Sequence, residues 1–151
     1  MSPVTYIFLL PMLAALLILL IPRNFRPVIR GVALLATFAS LILAVIVFCK
    51  FDTSKAADGF QFVQRHTWAP ALGMSYHVGV DGINLGLILM GAVVVFAAVC
   101  VSRRIQTREK EFYILLLLMG GGILGAFASL DLFFFYFFHE LALVLYLMLL
   151  R

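Results

Sequence analysis

Five apolar stretches, each long enough to cross a bilayer, limit what this chain can fold into more than any other feature. They are residues Val4–Ile21, Gly31–Cys49, Ile83–Val101, Phe112–Leu130 and Leu132–Leu150. A hydrocarbon core about 30 Å thick is crossed by roughly 20 apolar helical residues, and a lipid-facing backbone must satisfy its own hydrogen bonds. With 65% hydrophobic and 12% charged residues, the composition is not that of a soluble globular domain. The sequence therefore predicts an all-α integral membrane protein, in which residues 1–151 form a single domain of about five transmembrane helices.

The basic residues lie between these spans in an uneven pattern. The two short basic loops contain Arg23, Arg26 and Arg30, and Arg103, Arg104, Arg108 and Lys110. The long second loop, residues 50–77, contains only Lys50, Lys55 and Arg65, diluted by Asp52 and Asp58. The positive-inside rule therefore places both short loops in the cytoplasm, the N-terminus outside and the C-terminus inside. No nucleic-acid partner is expected, because these arginines flank apolar spans and lack interleaved aromatic residues.

The N-terminus and the second loop bear on location. The chain begins Met-Ser-Pro, without a basic leader or a small-residue cleavage site, so the first span is predicted to be a retained helix and not a signal peptide. Because no transit-like leader is present either, we expect a bacterial inner membrane. The aromatic residues Phe60, Phe62, Trp68 and Tyr76 predict that the outer loop, residues 50–77, lies along the membrane interface.

Short polar and small-residue patterns predict how the spans begin, turn and pack. Asp81 precedes the third span and is expected to cap that helix. Ser129-Leu-Asp131 leaves so little chain between the fourth and fifth spans that they must form an antiparallel hairpin, with Asp131 as a turn or helix-start residue. Gly121 and Gly125 form a G-x-x-x-G pair, which lets helix backbones approach closely. Packing inside a bundle is favoured over a dimerisation face.

Glu140 is a carboxylate deep inside the last apolar stretch. It follows Leu132 by eight residues, which places it about 12 Å along a helix, close to the bilayer midplane. An ionised acid there costs at least a few kcal/mol, and such residues usually belong to an ion or proton path. Low dielectric disfavours the charged form unless a cation is near, so Glu140 is suited to carry a proton or to act in a charge relay. The alternative is a protonated acid that bonds structurally within the helix bundle.

Two neighbours of Glu140 are accessory candidates. Tyr136 lies four residues before Glu140 and three before His139, so its hydroxyl is a candidate hydrogen-bond partner of either. His139 can exchange protons at neutral pH, but it lies about 100° from Glu140 around the helix and need not touch it. A lone histidine of this kind is more often a packed core residue. All eleven basic residues fall at helix ends or in loops, so no lysine or arginine of the spans can pair with Glu140.

No cofactor or metal is expected to bind this chain. The sequence has no C-x-x-C cluster, no paired haem histidines and no glycine-rich nucleotide loop, so electron transfer and nucleotide chemistry are not encoded. A proton path needs several groups in series, and the chain offers one strong one. By itself the chain is not a complete pump.

Two segments carry a family resemblance. Tyr76-His-Val-Gly-Val-Asp-Gly-Ile-Asn-Leu85 and Leu130-Asp-Leu-Phe-Phe-Phe-Tyr-Phe-Phe-His-Glu-Leu-Ala-Leu-Val144 resemble the antiporter-like subunits of respiratory complex I, most closely subunit M, the counterpart of mitochondrial subunit 4. The resemblance implies a proton-translocating membrane-arm subunit of NADH:quinone oxidoreductase, with Glu140 as the proton-relay carboxylate. It also implies the other membrane-arm subunits and the lipid bilayer as partners. NADH, FMN, iron–sulfur clusters and quinone would then belong to partner subunits.

The chain departs from that family in two ways. Family members usually carry a proline soon after the Glu-Leu-Ala-Leu-Val stretch, where this chain has Leu145-Tyr-Leu-Met-Leu-Leu-Arg151, and they continue through later helices that supply a lysine. The chain is therefore expected to be the N-terminal part of such a subunit, apparently truncated. Two alternatives stay open: a subunit of a multisubunit cation/proton antiporter or membrane-bound hydrogenase, and a structural or assembly membrane protein, or nonfunctional fragment, with no transport of its own.

Overall fold

The computed structural model describes residues 2–54, 59–70, 74–102 and 108–150. Its elements, in chain order, are α1 (Pro3–Leu20), α2 (Arg26–Lys50), β1 (Gln61–Ala69), β2 (Met74–Val80), α3 (Asn84–Val101), α4 (Glu109–Ala128) and α5 (Leu132–Leu149). All five helices are long and apolar enough to cross a membrane, as predicted. Lys55, Asp58, Arg103, Arg104, Arg151 and the side chain of Trp68, on which parts of the sequence interpretation rested, lie outside the described residues.

Helix α4 is the centre of the bundle and packs against α1, α3 and α5. Its glycines make those contacts close. A Cβ on Gly120 would lie 2.8 Å from the Val95 side chain of α3, and one on Gly121 would lie 2.9 Å from the Phe8 carbonyl oxygen of α1. A Cβ on Gly125 would lie 2.9 Å from the Phe138 ring of α5. The prediction that the G-x-x-x-G pair packs inside the bundle is confirmed.

The helix ends form two clusters, which lie at opposite ends of the bundle. The arginine end comprises the α1–α2 loop and the start of α4. There, Lys110 Nζ donates hydrogen bonds of 2.9 and 2.7 Å to the carbonyl oxygens of Leu19 and Ile21. These carbonyls are left without partners by the end of α1, so the lysine closes that helix and ties it to α4.

The hairpin end is formed by β1 and β2, which follow α2 and precede α3 in the chain and pair antiparallel with each other. The sequence predicted only an interfacial loop over residues 50–77, and the strands are a correction. Val78 and Val80 are buried on the bundle, and the register is irregular twice, between Gln61 and Gln64 and between Thr67 and Ala69. These irregularities break the apolar–polar alternation that marks a strand in sequence.

Strand β2 also holds the turn between α4 and α5. The Leu130 amide donates a 2.8 Å hydrogen bond to the His77 carbonyl oxygen, and Val78 forms an isolated antiparallel bridge with Ser129. The Asp131 carboxylate accepts from the Ser75 amide at 3.2 Å. The position of α5 is therefore fixed by the hairpin as well as by α4.

Two aspartates cap helices at the positions that the sequence predicted. Asp81 Oδ1 accepts hydrogen bonds from the amides of Ile83 and Asn84, at 3.0 and 2.7 Å, before α3 begins. Asp131 Oδ1 accepts from the Phe133 amide at 2.9 Å at the start of α5. Both predicted helix-start roles are confirmed. Helix α2 begins earlier than its predicted span, at Arg26, because Pro27 in its first turn suits a helix start.

Candidate functional site

Glu140 lies near the middle of α5. The helix begins at Leu132 and ends at Leu149, so about 12 Å of helix precede Glu140. The side chains that α5 buries are Phe138, Ala142 and Leu145, which form one stripe at helical spacing. Because Glu140 follows Phe138 by two positions, it points away from that stripe, and its side chain is 60% exposed.

A shallow groove of about 450 Å³ runs beside Glu140. Its lining residues all come from one face of α5: Phe133, Tyr136, Phe137, Glu140, Leu141 and Val144. Within the described chain no other element contributes to this lining. A charged carboxylate that faced bare hydrocarbon from this groove would cost at least a few kcal/mol.

His139 lies closer to Glu140 than helical geometry alone required. Its Nδ1 is 3.9 Å from Glu140 Oε1, beyond hydrogen-bond distance but close enough for a charge on one group to act on the other. The imidazole stacks on Phe135, with ring centroids 6.1 Å apart and planes at 26°. His139 is half exposed and lines a separate small cavity against α4, so it is not a buried core histidine.

Tyr136 shares the groove with Glu140. Its ring contacts Phe135, with centroids 6.0 Å apart, and the residue is 58% exposed. In the part of the chain that the structure describes, its hydroxyl makes no hydrogen bond with Glu140 or His139. The structure thus brings Tyr136 to the acid's side of the helix without bonding the two.

The charged partners of the molecule lie elsewhere. Across residues 2–54, 59–70, 74–102 and 108–150, no lysine or arginine forms an ion pair with Glu140, and no group of three or more His, Cys, Asp or Glu side chains could hold a metal ion. The ion pairs that Arg23, Arg26, Arg30 and Arg108 form with Glu109 and Glu111 lie at the arginine end.

Sequence reasoning missed a buried acid at the arginine end. Glu109, the first residue of α4, has a side chain only 4% exposed, and its Oε1 accepts a hydrogen bond from Arg30 Nε of α2. The arginines of the basic loops predict topology, but their pattern alone does not identify a buried ion pair. The available signal was an acid at the start of an apolar span opposite an arginine-rich loop.

A second missed polar cluster lies at the hairpin end. Gln64 Oε1 accepts hydrogen bonds from the Ser2 amide at 2.7 Å and from Thr5 Oγ1 at 2.9 Å, and Thr5 Oγ1 lies 2.9 Å from the Tyr76 hydroxyl. Burial raises the pKa of Tyr76 above its usual value, so its hydroxyl stays neutral over the physiological range. The cluster fastens the N-terminus of α1 to the hairpin.

Comparison with known proteins gives one consistent result. No family model matches the chain. Chain 4 of the NAD(P)H-quinone oxidoreductase of Synechococcus elongatus is 37% identical over 141 residues, which cover 93% of this chain and 26% of that protein. Subunit M of the F(420)H(2) dehydrogenase of Methanosarcina mazei is 37% identical over 115 residues, covering 76% of this chain and 23% of that protein.

A solved structure agrees with these relatives. A chain of respiratory complex I from Thermus thermophilus, determined with bound NADH, superimposes with a TM-score of 0.78 and 31% identity. The match covers 96% of this chain and 28% of that one. The chain therefore spans about a quarter of the length of the proteins it matches.

Proposed function

Because this chain is a homologue of the chain 4 subunits of NAD(P)H-quinone oxidoreductase and a multi-pass membrane protein, we propose that it forms part of a proton-translocating membrane-arm subunit of NADH:quinone oxidoreductase. Glu140 is its intramembrane proton-relay carboxylate. The redox reaction belongs to other subunits, which hold NADH, FMN, iron–sulfur clusters and quinone. The contribution of this chain is to hold and release a proton at the Glu140 carboxylate.

One observation carries the proposal: an ionisable carboxylate lies halfway along a spanning helix, on a face that the described chain leaves uncovered. Burial within this chain would have favoured a structural acid bonded to neighbouring helices. Exposure at mid-membrane depth instead requires a partner surface, and the relatives are about four times as long as the matched segment. The covering surface comes from the rest of the subunit or from a neighbouring membrane-arm subunit.

The groove also suggests how a proton would be handled. When the covering surface brings a cation near Glu140, the ionised carboxylate is stabilised and its proton leaves; when the cation withdraws, the neutral acid is favoured. His139, with Nδ1 3.9 Å from Glu140 Oε1, is an accessory group that can exchange protons at neutral pH. The Tyr136 hydroxyl, in the same groove, is the candidate hydrogen-bond donor to the acid.

The test is Glu140→Gln in the full-length protein within its assembled complex. The amide keeps the size of the side chain but cannot exchange a proton, so NADH-driven acidification of membrane vesicles should fall to background. Assembly of the complex, measured by native gel electrophoresis, should stay largely intact. Asp52→Asn is the matched control, because Asp52 is a carboxylate in the loop after α2 whose hydrogen bonds to the Ser54 amide and hydroxyl are local. Normal proton translocation by Glu140→Gln would contradict the relay assignment.

A structural or assembly role is the second candidate, and a specific observation favours it. Among the described residues Glu140 has no cationic partner other than His139, which counts only when protonated. Under this alternative, Glu140→Gln would change the stability of the complex and leave proton translocation per NADH unchanged. Measuring both quantities on the same membranes separates the two roles.

The electron donor of the complex is not determined by the residues of this chain, because the redox reaction belongs to the partner subunits. A relative from Methanosarcina mazei belongs to an F(420)H(2) dehydrogenase, so similar subunits occur in complexes named for different donors. Vesicles that acidify with NADH and quinone support the proposal. Acidification that requires a sodium gradient or hydrogen would favour a cation/proton antiporter or a membrane-bound hydrogenase.

A further inference from the structure

A cavity of about 320 Å³ opens at the arginine end, away from Glu140. Its charged lining consists of four cations and two carboxylates: Arg23, Arg26, Arg108, Lys110, Glu109 and Glu111. The lining therefore carries a net charge of +2. Since the cavity lies where α1 ends and α2 and α4 begin, it sits at the depth of the lipid headgroups if these helices span the bilayer.

The cavity contains an unsatisfied acceptor. Glu109 is almost fully buried, and its Oε1 is taken by Arg30. Its Oε2 is buried and has no hydrogen-bond partner among the described residues. Arg26 Nε, 3.9 Å from Oε2, is too far to donate a hydrogen bond. A buried carboxylate oxygen of this kind calls for a donor, and Glu109 is one of the residues that line the cavity.

The cations of the cavity are available to an anion. The side chains of Arg23 and Arg26 are 78% and 58% exposed, and each guanidinium has five donors, more than its ion pairs use. Lys110 already donates to two carbonyl oxygens of α1 and has one proton left. Arginines in this arrangement match the oxygens of a phosphate group.

We propose that this cavity binds the headgroup of an anionic phospholipid that carries a hydroxyl beyond its phosphodiester, as phosphatidylglycerol does. The phosphate oxygens accept hydrogen bonds from Arg23 and Arg26, and the headgroup hydroxyl donates to Glu109 Oε2. Basic pockets between membrane helices commonly bind lipid headgroups. A phosphodiester without a hydroxyl supplies the anion but not the donor. A choline headgroup supplies neither a donor nor a net negative charge to match the lining.

The test measures lipid retention by the purified full-length protein with native mass spectrometry, after exchange into vesicle lipids of defined composition. Three probes are compared: phosphatidylglycerol, phosphatidylmethanol, which has the same charge and no headgroup hydroxyl, and phosphatidylcholine. We expect phosphatidylglycerol to be retained most strongly, phosphatidylmethanol less and phosphatidylcholine least. Equal retention of all three, or of the two anionic lipids, would overturn the proposal.

Variants locate the site. The double substitution Arg23→Gln, Arg26→Gln should weaken phosphatidylglycerol retention about tenfold, since it removes two charge-assisted contacts from exposed positions. Arg65→Gln, which removes an exposed arginine of β1 at the opposite end, is the matched control and should retain the lipid as the unsubstituted protein does. If both variants lose the lipid equally, the binding is general surface attraction and the proposal fails.

Glu109→Met tests the donor, because methionine keeps the length of the side chain and replaces the carboxylate by a thioether, which is at most a weak acceptor. It should remove the preference for phosphatidylglycerol over phosphatidylmethanol while both stay above phosphatidylcholine. A preference that persists in Glu109→Met would exclude the hydroxyl contact. Displacement of phosphatidylglycerol by inorganic phosphate at equal concentration would instead identify a soluble-anion site and contradict the lipid assignment.

Discussion

Helices α4 and α5 are joined by a three-residue turn, residues 129–131, and both can cross a membrane, yet they bury their side chains very differently. Helix α4 buries eleven residues and contacts α1, α3 and α5. Helix α5 buries only three, all toward the bundle. The glutamates of the two helices differ in the same way: Glu109 of α4 is buried and paired, and Glu140 is exposed near the middle of α5.

This difference separates two kinds of membrane carboxylate. Glu109 is neutralised by Arg30 of the same chain, so its charge is used within the fold. Glu140 has no such partner among the described residues, where its only close ionisable neighbour is His139. An acid that the fold does not use is available to a partner surface and to proton exchange.

The largest expected effect is the difference in unfolding free energy between Glu109→Gln and Glu140→Gln. A reversed order of the two would contradict the comparison. Glu109→Gln leaves Arg30 without its anion, and since Arg30 is about one-third exposed, we expect a loss of unfolding free energy larger than for an exposed pair and smaller than for a fully buried one. Glu140→Gln should cost nothing, because no ion pair to lysine or arginine is lost and a neutral amide is easier to place in the membrane. Unfolding by SDS titration in detergent measures both.

Glu111→Gln is the control for Glu109→Gln, because it removes the carboxylate of an ion pair from the same helix. Glu111 pairs with Arg23 at 2.9 Å, but the two side chains are 44% and 78% exposed, so the loss of this pair should cost about 0.5 kcal/mol or less. If Glu140→Gln destabilised the protein more than Glu109→Gln did, the division between a paired structural acid and a free functional one would be wrong.

The next largest effect concerns the packing of α4. In Gly121→Ala the new methyl group would meet the Met12 side chain and lie 2.9 Å from the Phe8 carbonyl oxygen, so α1 must move. We expect a loss of about 1–2 kcal/mol in unfolding free energy. Gly31→Ala in α2 is the matched control, because nothing lies within 4 Å of its new methyl group and alanine favours the helix. Equal effects at the two sites would show that α4 is not the tightly packed centre.

The sequence predicted the parts of the fold that depend on local patterns. Apolar length predicted five helices, and the caps at Asp81 and Asp131 follow from side chains next to helix starts. The hairpin was missed because its strands are held by pairing and by contacts with the distant α4–α5 turn, such as the Leu130–His77 hydrogen bond. A strand is recognised in a sequence by alternating apolar and polar residues, and the two irregularities in the strand register interrupt that alternation here.

For the candidate site, too, the sequence predicted local features and missed those that depend on contacts between helices. The depth of Glu140 could be predicted, because it depends only on residues counted along one helix. Which side of α5 stays uncovered could not, because this depends on where Phe138 meets α1 and α4. Nor could the Glu109–Arg30 pair, since it needs the starts of α2 and α4 to be neighbours. The roles of Glu140, His139 and Tyr136 stay predictions for the transport experiment.

The smallest expected effect concerns the junction between the two helices, and it appears as a pH dependence. Hydrogen bonds to the Asp131 carboxylate, chiefly from the Ser75 amide and then from the Phe133 amide, hold its pKa below the usual value. The folded state therefore gains stability from ionised Asp131 above the unfolded pKa of about 3.9, and this gain is lost as pH falls through the lower folded pKa. Asp131→Asn should flatten the acid side of the stability profile in that window. Ser75→Ala keeps the backbone donor and should preserve most of the slope. An unchanged slope in Asp131→Asn would mean that the hairpin does not hold the start of α5 through this carboxylate.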